Sequence, residues 1–165
     1  MDFIELIETV KQIPYGRNSN RHDFSLVIYE NKGTCSSKHA FLKDFANNNN
    51  IPNVKLYIGI FKMNEENTSK IFPLLSENQI NYIPEAHCYL KVDGIPIDVT
   101  TSESFYTKIK NDILEEIEIE PIQVADYKVN YHKEFLKKWI IETNQNKTFE
   151  KIWEIRENCI QKLSE

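Results

Sequence analysis

Three side chains of this sequence have the types and the order that a thiol-dependent acyl transfer needs: a nucleophile, a base and a residue that orients the base. Cys35 follows Gly33-Thr34, and His87 and Asp98 come later in the chain. The thiolate is the nucleophilic form, and a place in the first turn of a helix lowers a cysteine pKa from about 8.5 to roughly 3.5–7.5 when a histidine is near. The N–H groups of that turn can also stabilise an oxyanion.

A predicted helix positions the cysteine. Thr34 is a favourable capping residue, and the stretch after it has an apolar stripe at helical spacing, formed by Phe41, Leu42, Phe45 and Ala46. Cys35 therefore belongs to the first turn.

A predicted β-hairpin positions the histidine and the aspartate. Residues 85–92 and 95–100 are β-prone, and Asp93-Gly94 between them favours a two-residue type I′ turn. The alternative structural interpretation is an ordinary hydrogen bond on an exposed sheet face. By spacing alone, catalysis and structure are equally good explanations.

The register of this hairpin can be derived. If Val92 opposes Ile95, then His87 opposes Thr100 and Asp98 opposes Tyr89, and these four share one face. His87 and Asp98 become diagonal neighbours with Cα atoms roughly 7–8 Å apart, which two side chains can bridge. The other face is wholly apolar and consists of Ala86, Cys88, Leu90, Val92, Ile95, Ile97 and Val99.

The rest of the chain predicts an α+β fold in a single domain over residues 1–165, with a core of about 20–125 and C-terminal helices in 126–165 packed on it. Residues 24–29 suggest a strand or a packed connector, and 121–124 another strand. A helix is expected at 2–12, a strand at 54–62 and a short helix near 68–76. The Trp and Ile stripes of the C-terminal helices are candidates to cover the apolar face of the hairpin.

Composition restricts the partners and the compartment. The net charge is −5 and the pI is about 5.5, which argues against nucleic acid because phosphate binding needs a basic face. No window approaches the roughly 20 apolar residues that span a bilayer, and the first residues are acidic rather than a signal sequence. We therefore expect a cytoplasmic protein without a membrane partner, and its three cysteines are expected to be reduced thiols.

Three segments in this order resemble the signature of the transglutaminase-like superfamily, in the form of a small, bacterial-type stand-alone domain. They are the Gly-Thr-Cys helix start at 33–35, the stretch from His87 to the Asp93-Gly94 turn, and Ile97 to Thr100. The resemblance covers roughly residues 33–101. It implies a papain-like packing of a cysteine-bearing helix on a small antiparallel sheet.

Carried over residue by residue, the resemblance makes Cys35 the nucleophile, His87 the base and Asp98 the orienting acid. The implied activity is that of a cysteine hydrolase or acyltransferase acting on an amide, peptide or thioester through an acyl-enzyme, without a cofactor or metal. Asn31 and Tyr29 are guesses for the side chain that completes the oxyanion hole. The substrate would be a small molecule or a protein that contains an amide or peptide group.

Four further residues need an interpretation. His39 lies four residues after Cys35 on the same helix face and could approach the sulfur. Lys38 is expected to be a solvated charge that could favour the thiolate. Cys88 points to the apolar face and is expected in the core, and Cys159 is expected to be structural or on the surface.

Two alternatives remain at the level of the sequence. Cys35, His39 and His87, with Asp98 as a further candidate, are acceptable zinc ligands and could form a metal site instead of a triad. The chain could also be an inert scaffold of the same fold that binds a partner.

Overall fold

The computed structural model describes residues 2–164 and has an α+β fold. Its α-helices are α1 (Phe3–Gln12), α2 (Leu26–Tyr29), α3 (Cys35–Asn48), α4 (Phe72–Glu77), α5 (Tyr106–Ile109), α6 (Asp126–Glu142) and α7 (Phe149–Leu163). Its strands are β1 (Val54–Met63), β2 (Ile83–Val92), β3 (Ile95–Ile97) and β4 (Ile113–Ile119), and two 3-10 helices lie at Ser69–Ile71 and Pro121–Val124. The predictions for α1, α3, β1, the helix near 68–76 and the C-terminal helix pair are confirmed.

The strands form one antiparallel sheet in the order β3-β2-β1-β4. The predicted hairpin register is confirmed, because Val92 pairs with Ile95 and Leu90 with Ile97. The turn has the positive φ angles that type I′ requires, 51° at Asp93 and 80° at the following glycine.

The hairpin is shorter than predicted. The ladder ends at Ile97, so Asp98 and Thr100 do not pair with Tyr89 and His87 across the strands. The reason is a local turn: Asp98 Oδ1 accepts hydrogen bonds from the backbone N–H of Thr100 at 3.0 Å and from its hydroxyl at 2.6 Å. This side-chain bond bends the backbone away from the sheet.

Residues 24–29 were expected to be a strand or a packed connector, and the second alternative is confirmed, because Leu26–Tyr29 is a helical turn that buries Val27. The expectation of a strand at residues 121–124 was wrong. The final strand is Ile113–Ile119, whose alternating isoleucines pair with β1. Pro121 then starts a 3-10 helix, with Glu120 and Gln123 forming its capping box, so residues 121–124 are not a strand.

The buried side chains form two clusters. The first joins the apolar face of β1 and β2 to α1 and α3, and includes Val10, Leu42, Ile58, Cys88 and Leu90. The second lies at the other end of β1 and β2 and includes Met63, Ile83, Leu136, Trp139 and Ile152. The C-terminal helices therefore contribute mainly to the second cluster, whereas α3 and α1 cover most of the apolar face of the hairpin.

Within residues 2–164, no helix is both long and apolar enough to span a membrane.

A close approach in the middle of the sheet yields a first prediction. A Cβ atom on Gly59 would lie 2.9 Å from both Cε1 and the hydroxyl of Tyr89, and that ring is buried among Tyr57 and Tyr106. We expect Gly59→Ala to lower the free energy of unfolding by about 1–3 kcal/mol, measured by urea denaturation.

A double-mutant cycle tests this cause. In a Tyr89→Leu background the aromatic ring is gone, so Gly59→Ala should cost less than half as much. An equal cost in both backgrounds would show that the ring is not what excludes a side chain at Gly59.

Candidate active site

The start of α3 fixes the position of Cys35. Thr34 Oγ1 accepts a hydrogen bond from the N–H of Ser37 at 3.2 Å, and Ser37 Oγ accepts one from the N–H of Thr34 at 2.9 Å. This reciprocal cap makes Cys35 the first helical residue. Gly33 precedes it because a Cβ there would lie 2.8 Å from Cγ of Lys38.

His87 and Asp98 form a buried hydrogen-bonded pair. His87 Nε2 lies 2.7 Å from Asp98 Oδ2, and the two residues are 5% and 3% exposed. Asp98 also accepts hydrogen bonds from Thr100 and from the N–H of Tyr106 at 2.8 Å. The structure thus brings the two side chains together, although Asp98 lies in a turn after β3 and not in a paired strand.

The thiol of Cys35 lies against His87 and Cys88. A hydrogen bond from Cys88 holds the pKa of Cys35 well below its usual value; burial opposes this shift, while the charges of Lys128 and His87 add to it. The hydrogen bond to Cys35 together with burial raises the pKa of Cys88. Of the two neighbouring sulfurs, Cys35 therefore has the lower pKa and loses its proton first.

The charge of Cys35 is balanced by His87. Burial opposes protonation of the imidazole, but the carboxylate of Asp98 and the thiolate outweigh it and raise the pKa of His87 to about 10. The pKa of Asp98 stays below its usual value in spite of burial, because it faces the charge of His87 and accepts its hydrogen bond. These directions describe a thiolate–imidazolium pair oriented by a carboxylate.

His39 has a structural contact at each ring nitrogen. Nδ1 lies 2.7 Å from the carbonyl of Cys35, and Nε2 accepts a hydrogen bond from the N–H of Val99 at 2.9 Å. Nδ1 is consequently the donor in a neutral ring, and burial lowers the pKa of His39. Both nitrogens are used by the backbone, so His39 positions α3 against residues 98–99 instead of meeting the sulfur.

The zinc alternative finds no support in this arrangement. His39 lacks a free nitrogen for a metal ion, since both of its nitrogens bind backbone groups. Among residues 2–164, no group of three or more His, Cys, Asp or Glu side chains is arranged to hold a metal.

Lys38 is buried, and the expectation of a solvated charge was wrong. Its side chain is 0% exposed and its Nζ donates hydrogen bonds to three carbonyls, those of Ile13, Val99 (3.1 Å) and Thr100 (2.9 Å). An ammonium group has three N–H donors, and here each meets an acceptor. Lys38 therefore anchors the segment that carries Asp98.

Lys128 is a site residue that the sequence analysis missed. It comes from α6, and its Nζ lies 3.7 Å from Cys35 Sγ and 2.8 Å from Ser36 Oγ. No spacing rule links it to Cys35, because the two are 93 positions apart. The apolar stripe of α6 predicts an amphipathic helix but does not indicate that Lys128 lies near Cys35.

A cavity of about 870 Å³ opens in front of the thiol. Cys35, His87, Lys128, Tyr15 and Phe105 are among its lining residues. It is large enough for a substrate of several residues, since binding pockets for small ligands occupy roughly 300–1,000 Å³.

The cavity does not include the two guessed oxyanion residues. Tyr29 is 82% exposed on α2, and Asn31 is an exposed residue with a positive φ of 49° after that helix. Neither lines the cavity. The structure thus gives no support for a role of Asn31 or Tyr29 in an oxyanion hole.

The remaining cysteine lies away from this site. Cys159 is fully buried in the second hydrophobic cluster, and burial raises its pKa to about 11. This agrees with the structural role that was one of the two expectations for it.

A second set of charged residues, also missed from the sequence, forms one wall of the cavity. Glu85 accepts two hydrogen bonds of 2.7 Å from Arg156, through Nε and Nη2. Nearby, His132 Nε2 donates to the carbonyl of Pro84 at 2.8 Å. Glu85 is the first residue of the predicted hairpin strand 85–92, but its partner Arg156 lies 71 positions away on α7, and no sequence pattern links the two.

Comparisons with known proteins were made for the whole chain. The chain matches no family model, no curated protein and no solved structure. The geometry of the site is therefore the main support for a function.

The anchoring role of Lys38 yields a second prediction. Lys38→Met fills the same space but leaves three buried carbonyls without a donor, so we expect the free energy of unfolding to fall by at least about 2 kcal/mol. Because the turn that holds Asp98 would loosen, labelling of Cys35 by iodoacetamide at pH 6.5 should also slow.

Lys43 provides the matched control. It donates to a single carbonyl, that of Val54 at 2.7 Å, and is half-buried on the same helix. Lys43→Met should cost less than about 1.5 kcal/mol and leave the labelling rate of Cys35 unchanged. Identical behaviour of the two variants would refute the anchoring role.

Proposed function

We propose that this chain is a cysteine hydrolase or acyltransferase that acts on an amide, peptide or thioester through a covalent acyl-enzyme. In this proposal Cys35 is the nucleophile, His87 the acid and base, and Asp98 the residue that orients His87. The observation that carries the proposal is the buried His87–Asp98 hydrogen bond of 2.7 Å behind a thiol whose pKa is lowered.

The first half of the reaction follows from these positions. The thiolate of Cys35 attacks the carbonyl carbon, a C–S bond forms and the negative charge moves to the oxygen. His87 holds Asp98 through Nε2, so its Nδ1 is the nitrogen that gives a proton to the leaving amine when the C–N bond breaks. The products of this half are an acyl-enzyme and a free amine.

The second half returns the enzyme to its starting state. Water or an acceptor amine attacks the acyl carbon, and His87, now neutral, accepts the proton of the attacking group. The C–S bond then breaks and restores the thiolate of Cys35 beside the imidazolium of His87. Water as acceptor gives hydrolysis, and an amine gives acyl transfer.

The helix start supplies donors for the oxyanion in this mechanism. The cap by Thr34 uses the N–H of Ser37, and no protein acceptor binds the N–H of Cys35 or Ser36 within residues 2–164. These two N–H groups lie at the positive end of α3, where an oxyanion is stabilised. Lys128, which already contacts both residues, adds a positive charge at the same place.

The resemblance to the transglutaminase-like superfamily supports the same proposal. Its three segments contain Cys35, His87 and Asp98, and the packing of a cysteine-bearing helix on an antiparallel sheet is the arrangement that the resemblance implies. We include membership of that superfamily, a single domain and a cytoplasmic location in the proposal. The proposed partner is a substrate that contains an amide or peptide group. The proposal includes neither a membrane nor a nucleic acid as a partner.

Selective labelling provides a third prediction. In native protein at pH 6 to 7, iodoacetamide should label Cys35 at least tenfold faster than Cys88 or Cys159, because the rate follows the thiolate fraction and access. His87→Ala should slow the labelling of Cys35 more than tenfold, and Asp98→Ala should slow it to a smaller degree. Peptide mass spectrometry after timed quenching measures all three cysteines.

His39→Gln is the comparison variant. It removes a ring that contacts only backbone groups by hydrogen bonds, and should change the labelling rate of Cys35 less than tenfold, about 1.4 kcal/mol. Slow and equal labelling of the three cysteines in the wild-type protein would exclude an activated nucleophile.

The pH dependence of stability provides a fourth prediction. In the unfolded chain Cys35 and His87 titrate near 8.5 and 6.5, whereas folding lowers the pKa of Cys35 and raises that of His87 to about 10. Between pH 6.5 and 8.5 each state binds one proton on this pair, so its contribution to stability is constant. The contribution falls below pH 6.5, where the unfolded histidine gains a proton. It also falls between about pH 8.5 and 10, where the unfolded cysteine has lost its proton while the folded histidine still keeps its own.

The measurement compares wild-type protein with Cys35→Ser/His87→Gln by urea denaturation from pH 5.5 to 10, so that other groups cancel. The difference in unfolding free energy should form a plateau with limbs approaching about 1.4 kcal/mol per pH unit. A difference that is independent of pH across this range would mean that the pair is neutral.

A further inference from the structure

The cavity in front of Cys35 is positively charged, although the net charge of the chain is −5. Five cationic and two anionic side chains line it. The cations are Arg17, Arg21, Lys108, Lys128 and Arg156, and the anions are Glu85 and Glu157. A cleft of one sign in a protein of the other sign attracts ligands of the opposite charge.

The carboxylates of this cavity are already bound to protein groups. Both oxygens of Glu85 accept hydrogen bonds from Arg156, and Glu157 Oε1 accepts one from Arg156 Nη1 at 2.6 Å. Arg156 therefore offsets one of the two negative charges, and the one that remains faces four other cationic side chains of the lining. Lys128 is similarly engaged by Ser36 and Cys35.

The other three cations have no such partner. Within residues 2–164, the side chains of Arg17, Arg21 and Lys108 make no ion pair and no hydrogen bond to another residue, and all three are exposed. They come from two segments far apart in sequence, the connection between α1 and α2 and the short helix α5. Two separate segments thus present unpaired positive charge to the cavity that contains the nucleophile.

We infer that the substrate carries an anionic group, a carboxylate or a phosphate, which binds Arg17, Arg21 and Lys108 while its amide or thioester reaches Cys35. Guanidinium groups bind both anions through paired N–H donors, and the ammonium group adds a point charge. This inference specifies the substrate class of the proposed reaction and rests on that proposal. An acidic peptide or a phosphorylated acyl compound has the required chemistry.

Two alkylating reagents that differ in charge test the inference without a known substrate. Iodoacetate is an anion and iodoacetamide is neutral. In both, the thiolate attacks the CH₂ carbon, the C–S bond forms and iodide is released. N-acetylcysteine amide, a free thiol without a cavity, gives the reference ratio of the iodoacetate rate to the iodoacetamide rate. We expect this ratio to be about tenfold higher at Cys35 at low salt. It should approach the reference ratio in 0.5 M NaCl, because salt screens exposed charges.

Variants identify the responsible residues. Arg17→Gln/Arg21→Gln/Lys108→Gln should remove most of the preference for iodoacetate and leave the iodoacetamide rate within about twofold of wild type. Lys55→Gln/Lys138→Gln/Lys151→Gln changes the net charge equally at exposed lysines that do not line the cavity, and should keep the preference. Equal losses in the two triple variants would overturn the inference in favour of a general charge effect.

The results separate this inference from the proposed function. Iodoacetamide could label Cys35 fast while the iodoacetate-to-iodoacetamide rate ratio equals that of N-acetylcysteine amide. This result would contradict an anionic substrate but would still agree with Cys35 as the nucleophile. Slow labelling of Cys35 by both reagents would overturn the proposed function itself.

Competition then identifies the anion. At constant ionic strength, glutarate or inorganic phosphate should slow the labelling of wild-type Cys35 by iodoacetate and have no such effect in the cavity variant. Stronger protection by glutarate indicates a carboxylate substrate, and stronger protection by phosphate a phosphorylated one. If neither anion protects at tens of millimolar, the three cations do not form an anion site and the inference fails.

Discussion

The docking of the first turns of α3 on residues 98–100 is the interaction on which the rest of the site depends. Cys35 begins this helix, and Lys38 and His39 in the next turn bind the backbone of Val99 and Thr100. The helix that contains the proposed nucleophile therefore also holds the segment with Asp98. Because an α-helix is stiff over two turns, the hydrogen bonds of Lys38 and His39 to Val99 and Thr100 fix where Asp98 lies relative to the thiol at the start of the helix.

Buried charge is the energetic difficulty of this arrangement, and pairing resolves it. An isolated buried ion costs several kcal/mol, and a buried pair is tolerable only when its remaining donors and acceptors are satisfied. Asp98 accepts hydrogen bonds from His87, Thr100 and Tyr106. Lys38 meets three carbonyls. The negative charge of a Cys35 thiolate and the positive charge of a His87 imidazolium cancel. The ion pair therefore adds no net charge to the interior of the fold.

The parts of the structure that could be predicted from sequence are those governed by neighbours along the chain. The hairpin followed from period-two alternation and Asp93-Gly94, and the helix start from the Thr34 cap; together they gave the meeting of His87 with Asp98. The early end of β3 was not predicted. Hydrogen bonds from Thr100 to the side chain of Asp98 form a local turn there, in place of further pairing between β2 and β3.

The roles of Lys38, His39 and Lys128 could not be derived, because each has a partner 60 or more positions away in the chain. For Lys38 and His39 these distant partners are backbone groups of Val99 and Thr100, which no sequence pattern indicates.

In the proposed reaction, the reacting groups and the charged walls of the cavity thus come from different stretches of this chain. The proposed triad lies within the segments that resemble a known signature, whereas the charged walls of the cavity come from residues 17 and 21, from α5 and from the C-terminal helices. Lys128 links the two, since it contacts Cys35 from α6. If the substrate is the inferred anion, a change of the exposed cations would alter its attraction to the cavity, because that attraction acts at a distance and is screened by salt. The direct contact between Cys35 and His87 would stay as it is. Under the proposed function, substrate preference would thus be free to change while the reacting groups stay the same.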